Sequence, residues 1–145
     1  MFLRCRHFEA EMNVTQQLAS DEQAVTELFQ AFLHGMEQRN PASLREMILP
    51  DGVMTRVTQG EVKQITLAAL LETVFPTQGT SSLEERIYEP LVRTDGDIAV
   101  IWCRYDFRVD DKITHCGTNI INLARADGRW RISGLSDTAR PPPAA

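Results

Sequence analysis

Long hydrophobic runs are absent from this sequence. Nowhere in its 145 residues do about 20 apolar residues follow one another, which is the length that a membrane-spanning helix needs. Residues 1–7 combine apolar and basic side chains, but no apolar stretch of signal-peptide length follows them. These absences favour an intracellular protein, and we expect a cytoplasmic one.

Clusters of positive charge are missing as well. The formal net charge is −5, and the basic residues are scattered along the chain. Nucleic acids and anionic membranes attract clustered Lys and Arg, so we expect neither as a partner. Hydrophobic residues at 43% and charged residues at 24% are typical of a globular protein, and the length suits one domain.

Motifs for metals and phosphates are not found. Cys5, Cys103 and Cys116 are an odd number of cysteines without metal-ligand spacing, and the histidines form no His-x-His or His-x-x-x-His pair. No Gly-rich loop follows a strand and opens a helix. We therefore expect no metal site, no cofactor, and reduced thiols.

The first half of the chain has the periodicity of helices. Ser20 is a good N-cap, and residues at helical spacing follow it: Val25, Leu28, Phe29, Phe32, Leu33 and Met36. Asn40-Pro41 ends this helix. Shorter helices are predicted over residues 42–48 and 66–74, with a short strand over 53–57 between them. Residues 1–19 have no persistent period and are expected to form a loose leader.

The second half has the pattern of strands. Four runs rich in β-branched and aromatic residues cover 86–93, 97–109, 113–126 and 129–135. Asp- and Gly-centred breaks at 110–111 and 126–128 predict tight hairpin turns. Together the two halves predict an α+β domain over residues 20–138, with a curved antiparallel sheet and a pocket. Residues 139–145, with three prolines, are expected to be a disordered tail.

This order of elements resembles the nuclear transport factor 2-like superfamily, in its SnoaL-like or putative lumazine-binding branch. The resemblance covers residues 20–138 and is carried by the segments 44–51, 99–107, 115–117 and 127–132. It implies a cone-shaped, curved antiparallel sheet, made of a four-strand meander plus a short strand. This sheet would wrap around a long N-terminal helix with two shorter helices. It also implies a homodimer through the outer sheet face. Members include isomerases, dehydratases, cyclases and binding modules, so the fold is a weak guide to activity.

The ketosteroid isomerases, one enzymatic branch, have catalytic residues that this chain does not match. The position of their catalytic tyrosine on the first helix aligns near Phe32. The position of their aspartate base, near the first strand, aligns near Thr55 or Arg56. The acid that helps to hold their oxyanion falls near Asn122. Steroid-type proton transfer is therefore not expected.

Two polar residues are the candidates for chemistry. Alternation places Tyr105 on the helix-facing side of its strand, where its hydroxyl could donate to a ligand or to a backbone group of the core. His115 has an ordinary pKa near 6.5 and could act as a general base, or be a structural or solvated histidine. The turn predicts that His115 lies opposite Asp106, with its face dependent on any β-bulge. Asp137, at the end of the last strand, could face the mouth of the cone, but acids at strand ends are usually solvated, and we expect the same here.

Two functions fit these features. The first is binding of a small apolar or aromatic molecule in a pocket built from Phe29, Phe32, Leu33, Tyr105 and His115. The second is catalysis by a cofactor-free lyase, isomerase or cyclase, with His115 as general base and Tyr105 polarising a carbonyl. The scarcity of ionisable groups favours the first. Trp102, on the opposite sheet face, is expected to contribute to a homodimer interface.

Overall fold

The computed structural model describes residues 2–73 and 79–144. No helix among these residues is both long and apolar enough to cross a membrane. The elements in chain order are α1 (Phe2–Glu37), α2 (Pro41–Arg45), β1 (Ile48–Thr58), β2 (Glu61–Thr66), α3 (Leu67–Thr73), β3 (Leu83–Asp95), β4 (Ile98–Val109), β5 (Lys112–Ala126) and β6 (Arg129–Thr138).

Helix α1 is longer than the sequence pattern predicts. It has no proline, and its first glycine is Gly35, so nothing in the backbone interrupts a helix upstream of Ser20. Residues 13–20 are exposed, whereas the predicted apolar stripe begins to be buried at Val25. Residues 2–19 are therefore helical where a loose leader was expected. Residues 13–19 of this helix are exposed, so they need no apolar face. This explains why the sequence shows no apolar period there.

The sheet has six strands in the order β2-β1-β6-β5-β4-β3. Strands β1 and β6 are parallel, and every other neighbouring pair is antiparallel. Strand β2 was not predicted, because all six of its residues are exposed at the sheet edge and leave no alternation to detect. Strand β1 starts at Ile48, inside the predicted helix 42–48, and α2 is correspondingly shorter.

The predicted hairpin turns are confirmed. Asp110 and Asp111 have φ values of 48° and 67°, and Asp127 and Gly128 have φ values of 52° and 74°. Two successive positive φ angles are the signature of the type I′ turn that matches strand twist. Strand β6 then continues to Thr138, and Arg140 forms a β-bridge with Cys116. The expected tail therefore packs on β5 at its start and is exposed from Pro141 to Ala144.

The curved sheet wraps its concave face around α1, which confirms the α+β fold. On β4, Ala99, Ile101, Cys103 and Tyr105 are buried on this face. Ile132 on β6 is fully buried beneath the helices, and Trp130 is partly buried at the edge of the same core. No helix of the described residues covers the convex face, and there Trp102 is 51% exposed.

Candidate functional site

A cavity of about 290 Å³ lies between α1, α3 and the concave face of the sheet. Most of its wall is apolar. Helix α1 contributes two aromatic rings and two flexible side chains, and Met54, Leu70, Phe107 and Leu135 complete the apolar part. Exposed residues of β2, among them Lys63, form the rim. The apolar residues on α1 are Phe29, Phe32, Leu33 and Met36.

One end of the cavity is polar, because four strands change from apolar to polar residues along this face of the sheet. Each polar residue lies two positions from a buried or half-buried apolar residue, and side chains two apart on a strand share a face. The pairs are Met54 and Arg56 on β1, Leu135 and Asp137 on β6, Ile121 and Asn119 on β5, and Ile87 and Glu85 on β3. The sheet therefore carries a polar patch (Arg56, Glu85, Asn119 and Asp137) inside an apolar cone.

Arg56 and Asp137 form the fixed part of this patch. The Arg56 Nε atom donates to Asp137 Oδ1 at 2.9 Å, and Nη2 donates to Oδ2 at 2.6 Å. The Asp137 side chain is only 4% exposed, so its charge depends on this partner. Tyr105 also donates its hydroxyl to the carbonyl oxygen of Thr138 at 2.9 Å and lies 3.3 Å from Asp137 Oδ2. Asp137 is therefore buried and paired, not solvated as the sequence predicted.

Glu85 is the second acid of the patch, and it has no cationic partner among the described residues. Its Oε2 atom accepts a hydrogen bond from Asn119 Nδ2 at 3.0 Å, so the side chain reaches across β4. Burial raises the pKa of Glu85 to about 7, although the bond from Asn119 acts in the opposite direction. Nearby, burial raises the pKa of the Cys103 thiol to about 12, which makes this cysteine unreactive at neutral pH.

His115 reaches the cavity because of a β-bulge. Near the turn, Arg108 pairs with Ile113 as expected, but Phe107 pairs with His115, which leaves Thr114 as the extra residue. The bulge moves His115 opposite Phe107, not opposite Asp106 as the turn predicted. Its ring stacks on Phe107 with centroids 5.0 Å apart and meets Tyr105 edge-on at 5.7 Å.

The hydrogen bonds of Thr114 assign the tautomer of His115. The Thr114 hydroxyl donates to the carbonyl oxygen of Phe107 at 3.3 Å, and its oxygen lies 3.2 Å from His115 Nδ1. With its proton given to the carbonyl, the hydroxyl accepts from the ring, and on this ground we assign the proton to Nδ1 and the lone pair to Nε2. This Nε2 atom is buried and has no hydrogen-bond partner within residues 2–73 and 79–144. Burial, and secondarily the charge of Arg56, lower the pKa of His115, which keeps the ring neutral at neutral pH.

Of the five residues predicted to form the pocket, four line the cavity and one lies behind its wall. Phe29, Phe32, Leu33 and His115 line the cavity. Tyr105 is 2% exposed and lies behind the wall, in contact with His115 and with its hydroxyl bonded to Thr138. Glu85 and Asn119 were not identified from the sequence. Their two-residue spacing from Ile87 and Ile121 is consistent with the helix-facing side of the sheet, but it does not reveal that they line a cavity.

A family model described as putative lumazine-binding matches residues 20–134 of the sequence. The match covers most of the chain, including the helices and nearly all of the sheet that surround the cavity. The chain belongs to the putative lumazine-binding family. Several solved structures with this fold are described as nuclear transport factor 2-like proteins. No functionally curated protein matches the sequence.

Solved structures share the fold of this putative lumazine-binding family member at low sequence identity. A Mycobacterium tuberculosis protein of unknown function is 18% identical, with a TM-score of 0.71 over 88% of this chain and 75% of its own. A nuclear transport factor 2-like protein with a cystatin-like fold from Novosphingobium aromaticivorans is 15% identical, with a TM-score of 0.71 over 90% and 88%. A putative dehydratase from Streptomyces avermitilis is 14% identical, with a TM-score of 0.69 over 84% and 97%. At these identities the likeness shows the fold alone.

Proposed function

We propose that this protein binds a small, largely apolar or aromatic molecule in the cavity. An engineered cavity of about 150 Å³ can hold benzene, so a space of about 290 Å³ suits a molecule of one or two rings. Phe29, Phe32 and Phe107 offer ring surfaces to such a molecule. The family description is in keeping with a flat aromatic ligand.

One observation carries this proposal: a buried ring nitrogen without a partner lies in the wall of an apolar cavity. His115 Nε2 makes no hydrogen bond within the described residues. A buried polar atom left unpaired costs about 1–3 kcal/mol, and such groups are retained where something else satisfies them. A ligand in the cavity would satisfy Nε2 with one polar group while its body covers the apolar wall.

A thermal-shift screen of small aromatic molecules tests this function. A ligand that binds only the folded state raises the apparent melting temperature, and the shift grows with the logarithm of the ratio of its concentration to its Kd. Leu33→Trp, which fills part of the cavity, should abolish the shift. Ile98→Trp, at a position 63% exposed on the convex side, is the matched control and should preserve it. Equal shifts in both variants would place the binding site outside the cavity.

Catalysis is the second candidate, because the lone pair on His115 Nε2 suits a general base. In this version the protein is a cofactor-free lyase, isomerase or cyclase. Tyr105 would be the hydrogen-bond donor, for which its hydroxyl must exchange Thr138 for the substrate. Once a ligand is known, its conversion should fall about 10²–10⁴-fold in His115→Gln. His34→Gln, at an exposed residue of α1, is the control. Recovery of the ligand unchanged by the wild-type protein would exclude this version for that ligand.

We also infer that two copies of the chain associate through the convex face of the sheet. Tyr88, Leu91 and Trp102 are 42%, 52% and 51% exposed there, and Leu91 pairs directly with Trp102. Exposed apolar patches of this kind usually mark interfaces, and a two-fold dimer covers one patch with its copy. Sedimentation should give twice the 16.4 kDa chain mass, and Trp102→Ser should shift it to the monomer. A wild-type monomer at micromolar concentration would contradict the dimer.

The cytoplasmic location stays a prediction.

A further inference from the structure

The polar patch of the cavity has unused acceptors. His115 Nε2 carries a lone pair, and no donor reaches it from the part of the chain that the structure describes. Glu85 accepts from Asn119 through Oε2, and no described residue donates to its other oxygen, Oε1. Arg56, the strongest donor in the cavity wall, directs Nε and Nη2 at Asp137. A ligand that pairs with the two free acceptors, His115 Nε2 and Glu85 Oε1, has to bring donors.

The same end also has an unbalanced negative charge. Arg56 and Asp137 neutralise each other through two hydrogen bonds, and the ring of His115 is neutral. Among the described residues that line the cavity, Glu85 is therefore the charge without a counter-ion when it is ionised. Lys63 is exposed at the rim, where solvent hydrates its ammonium group. An isolated carboxylate in an apolar cavity is costly, and either a proton or a cationic ligand removes the cost.

We propose that the ligand of this cavity is a small aromatic or alkyl amine bound in its ammonium form, with Glu85 and His115 Nε2 accepting its N–H groups. This inference rests on the proposed small-molecule binding and specifies the ligand class. An ammonium group supplies both the missing charge and the missing donors. The rings of Phe29, Phe32 and Phe107 add surfaces that attract cations. A carboxylate ligand would meet Glu85 with like charge, and a ligand with acceptors alone would leave Nε2 unpaired.

Three probes of one shape test the proposal: 1-naphthylmethylamine, 1-naphthylmethanol and 1-naphthoate. They differ at the polar group, and near neutral pH they are a cation, a neutral molecule and an anion. We expect the amine to bind the wild-type protein about tenfold to a hundredfold more tightly than the alcohol in calorimetry. The carboxylate should bind more weakly than the alcohol. Equal or tighter binding of the alcohol or the carboxylate would overturn the proposal while leaving small-molecule binding intact.

The variants Glu85→Gln and Glu84→Gln identify the charge that recognises the amine. Both variants replace a carboxylate by an amide, at adjacent positions of β3. Glu84, however, pairs with Arg86 and is not part of the cavity wall. Glu85→Gln should reduce the preference for amine over alcohol to within about threefold, and Glu84→Gln should retain the wild-type ratio. An unchanged ratio in Glu85→Gln would overturn the role of Glu85. Absence of binding by all three probes at millimolar concentration would overturn both the amine proposal and the small-molecule function.

Discussion

Glu84 and Glu85 are neighbours on β3, yet they lie in opposite electrostatic environments. Glu84 points away from the cavity, and Arg86 Nε donates to its Oε1 atom at 2.7 Å. This hydrogen bond lowers the pKa of Glu84. Glu85 points into the cone, where burial raises its pKa to about 7. Because the two residues are chemically identical, the difference comes from the sheet face alone.

The same division between faces runs along β4. Ile101 is 1% exposed against α1, whereas Ile98 is 63% exposed on the convex side. One face of the sheet buries apolar surface and holds Glu85, which has no cationic partner among the described residues. The other face pairs Glu84 and Asp106 with arginines and leaves apolar side chains exposed. Function is therefore expected on both faces, but of different kinds: recognition of a small molecule inside, and association of chains outside.

The largest expected effect tests the difference in burial between the two faces of the sheet. Ile101→Ala removes a fully buried side chain and should reduce the free energy of unfolding by about 2–5 kcal/mol in urea denaturation. Ile98→Ala makes the same chemical change on the convex side and should stay within about 0.5 kcal/mol of the wild type. Similar losses in the two variants would mean that the faces are not as different as described.

The next largest effect tests the electrostatic difference between the two faces of the sheet, through the pKa of Glu85. Because the folded-state pKa of Glu85, about 7, lies above its ordinary value of 4.5, the folded chain retains a proton that the unfolded chain has lost between these values. The stabilisation is complete below about pH 4.5 and is lost as the pH rises through 7. The free energy of unfolding should therefore fall across this window by up to about 3 kcal/mol on account of this group.

Glu85→Gln cannot lose a proton and should show a flatter pH profile across that window, measured by denaturation at several pH values. It should also be more stable than the wild type above pH 7. Glu84→Gln is the matched control, because the pKa of Glu84 is shifted in the opposite direction and its contribution is lost only as the pH falls. A wild-type profile that Glu85→Gln leaves unaltered would contradict the raised pKa.

The smallest effect concerns Tyr105. Tyr105→Phe keeps the packed ring but removes the hydroxyl that donates to the Thr138 carbonyl. We expect a loss of about 1 kcal/mol in the free energy of unfolding, typical of one hydrogen bond. Ligand affinity should fall less than in His115→Gln, because Tyr105 contacts His115 from behind the wall. A greater loss of affinity in Tyr105→Phe would give its hydroxyl a direct role in binding.

Local patterns in the sequence are enough to predict most of the fold. Helical spacing from Val25 to Met36 identifies the buried stripe of α1, and the Asp- and Gly-centred breaks identify the type I′ turns. These features depend on residues close together in the chain, where propensity and periodicity act directly. Strand β2 could not be predicted in this way, since an edge strand exposed at every position has no period.

The polar end of the cavity was harder to predict, because it depends on details that no local pattern encodes. One extra residue at Thr114 decides which residue lies opposite Phe107, and the turn itself does not reveal it. Glu85 stands in the charged segment Glu84-Glu85-Arg86, which looks like a solvated surface. Its environment is set by Asn119 on β5, 34 positions away. Burial of this kind follows from tertiary packing and not from propensity.

The ion pair between Arg56 and Asp137 also has a consequence for how the protein folds. It joins the first strand to the last across 81 positions, and these strands are parallel neighbours in the middle of the sheet. Contacts so distant in sequence require a long loop to close and form slowly compared with hairpins. The β3-β4-β5-β6 meander can assemble from local turns, whereas the cavity is complete only after β1 has docked. Any molecule held there would therefore favour the finished sheet over every partly folded intermediate.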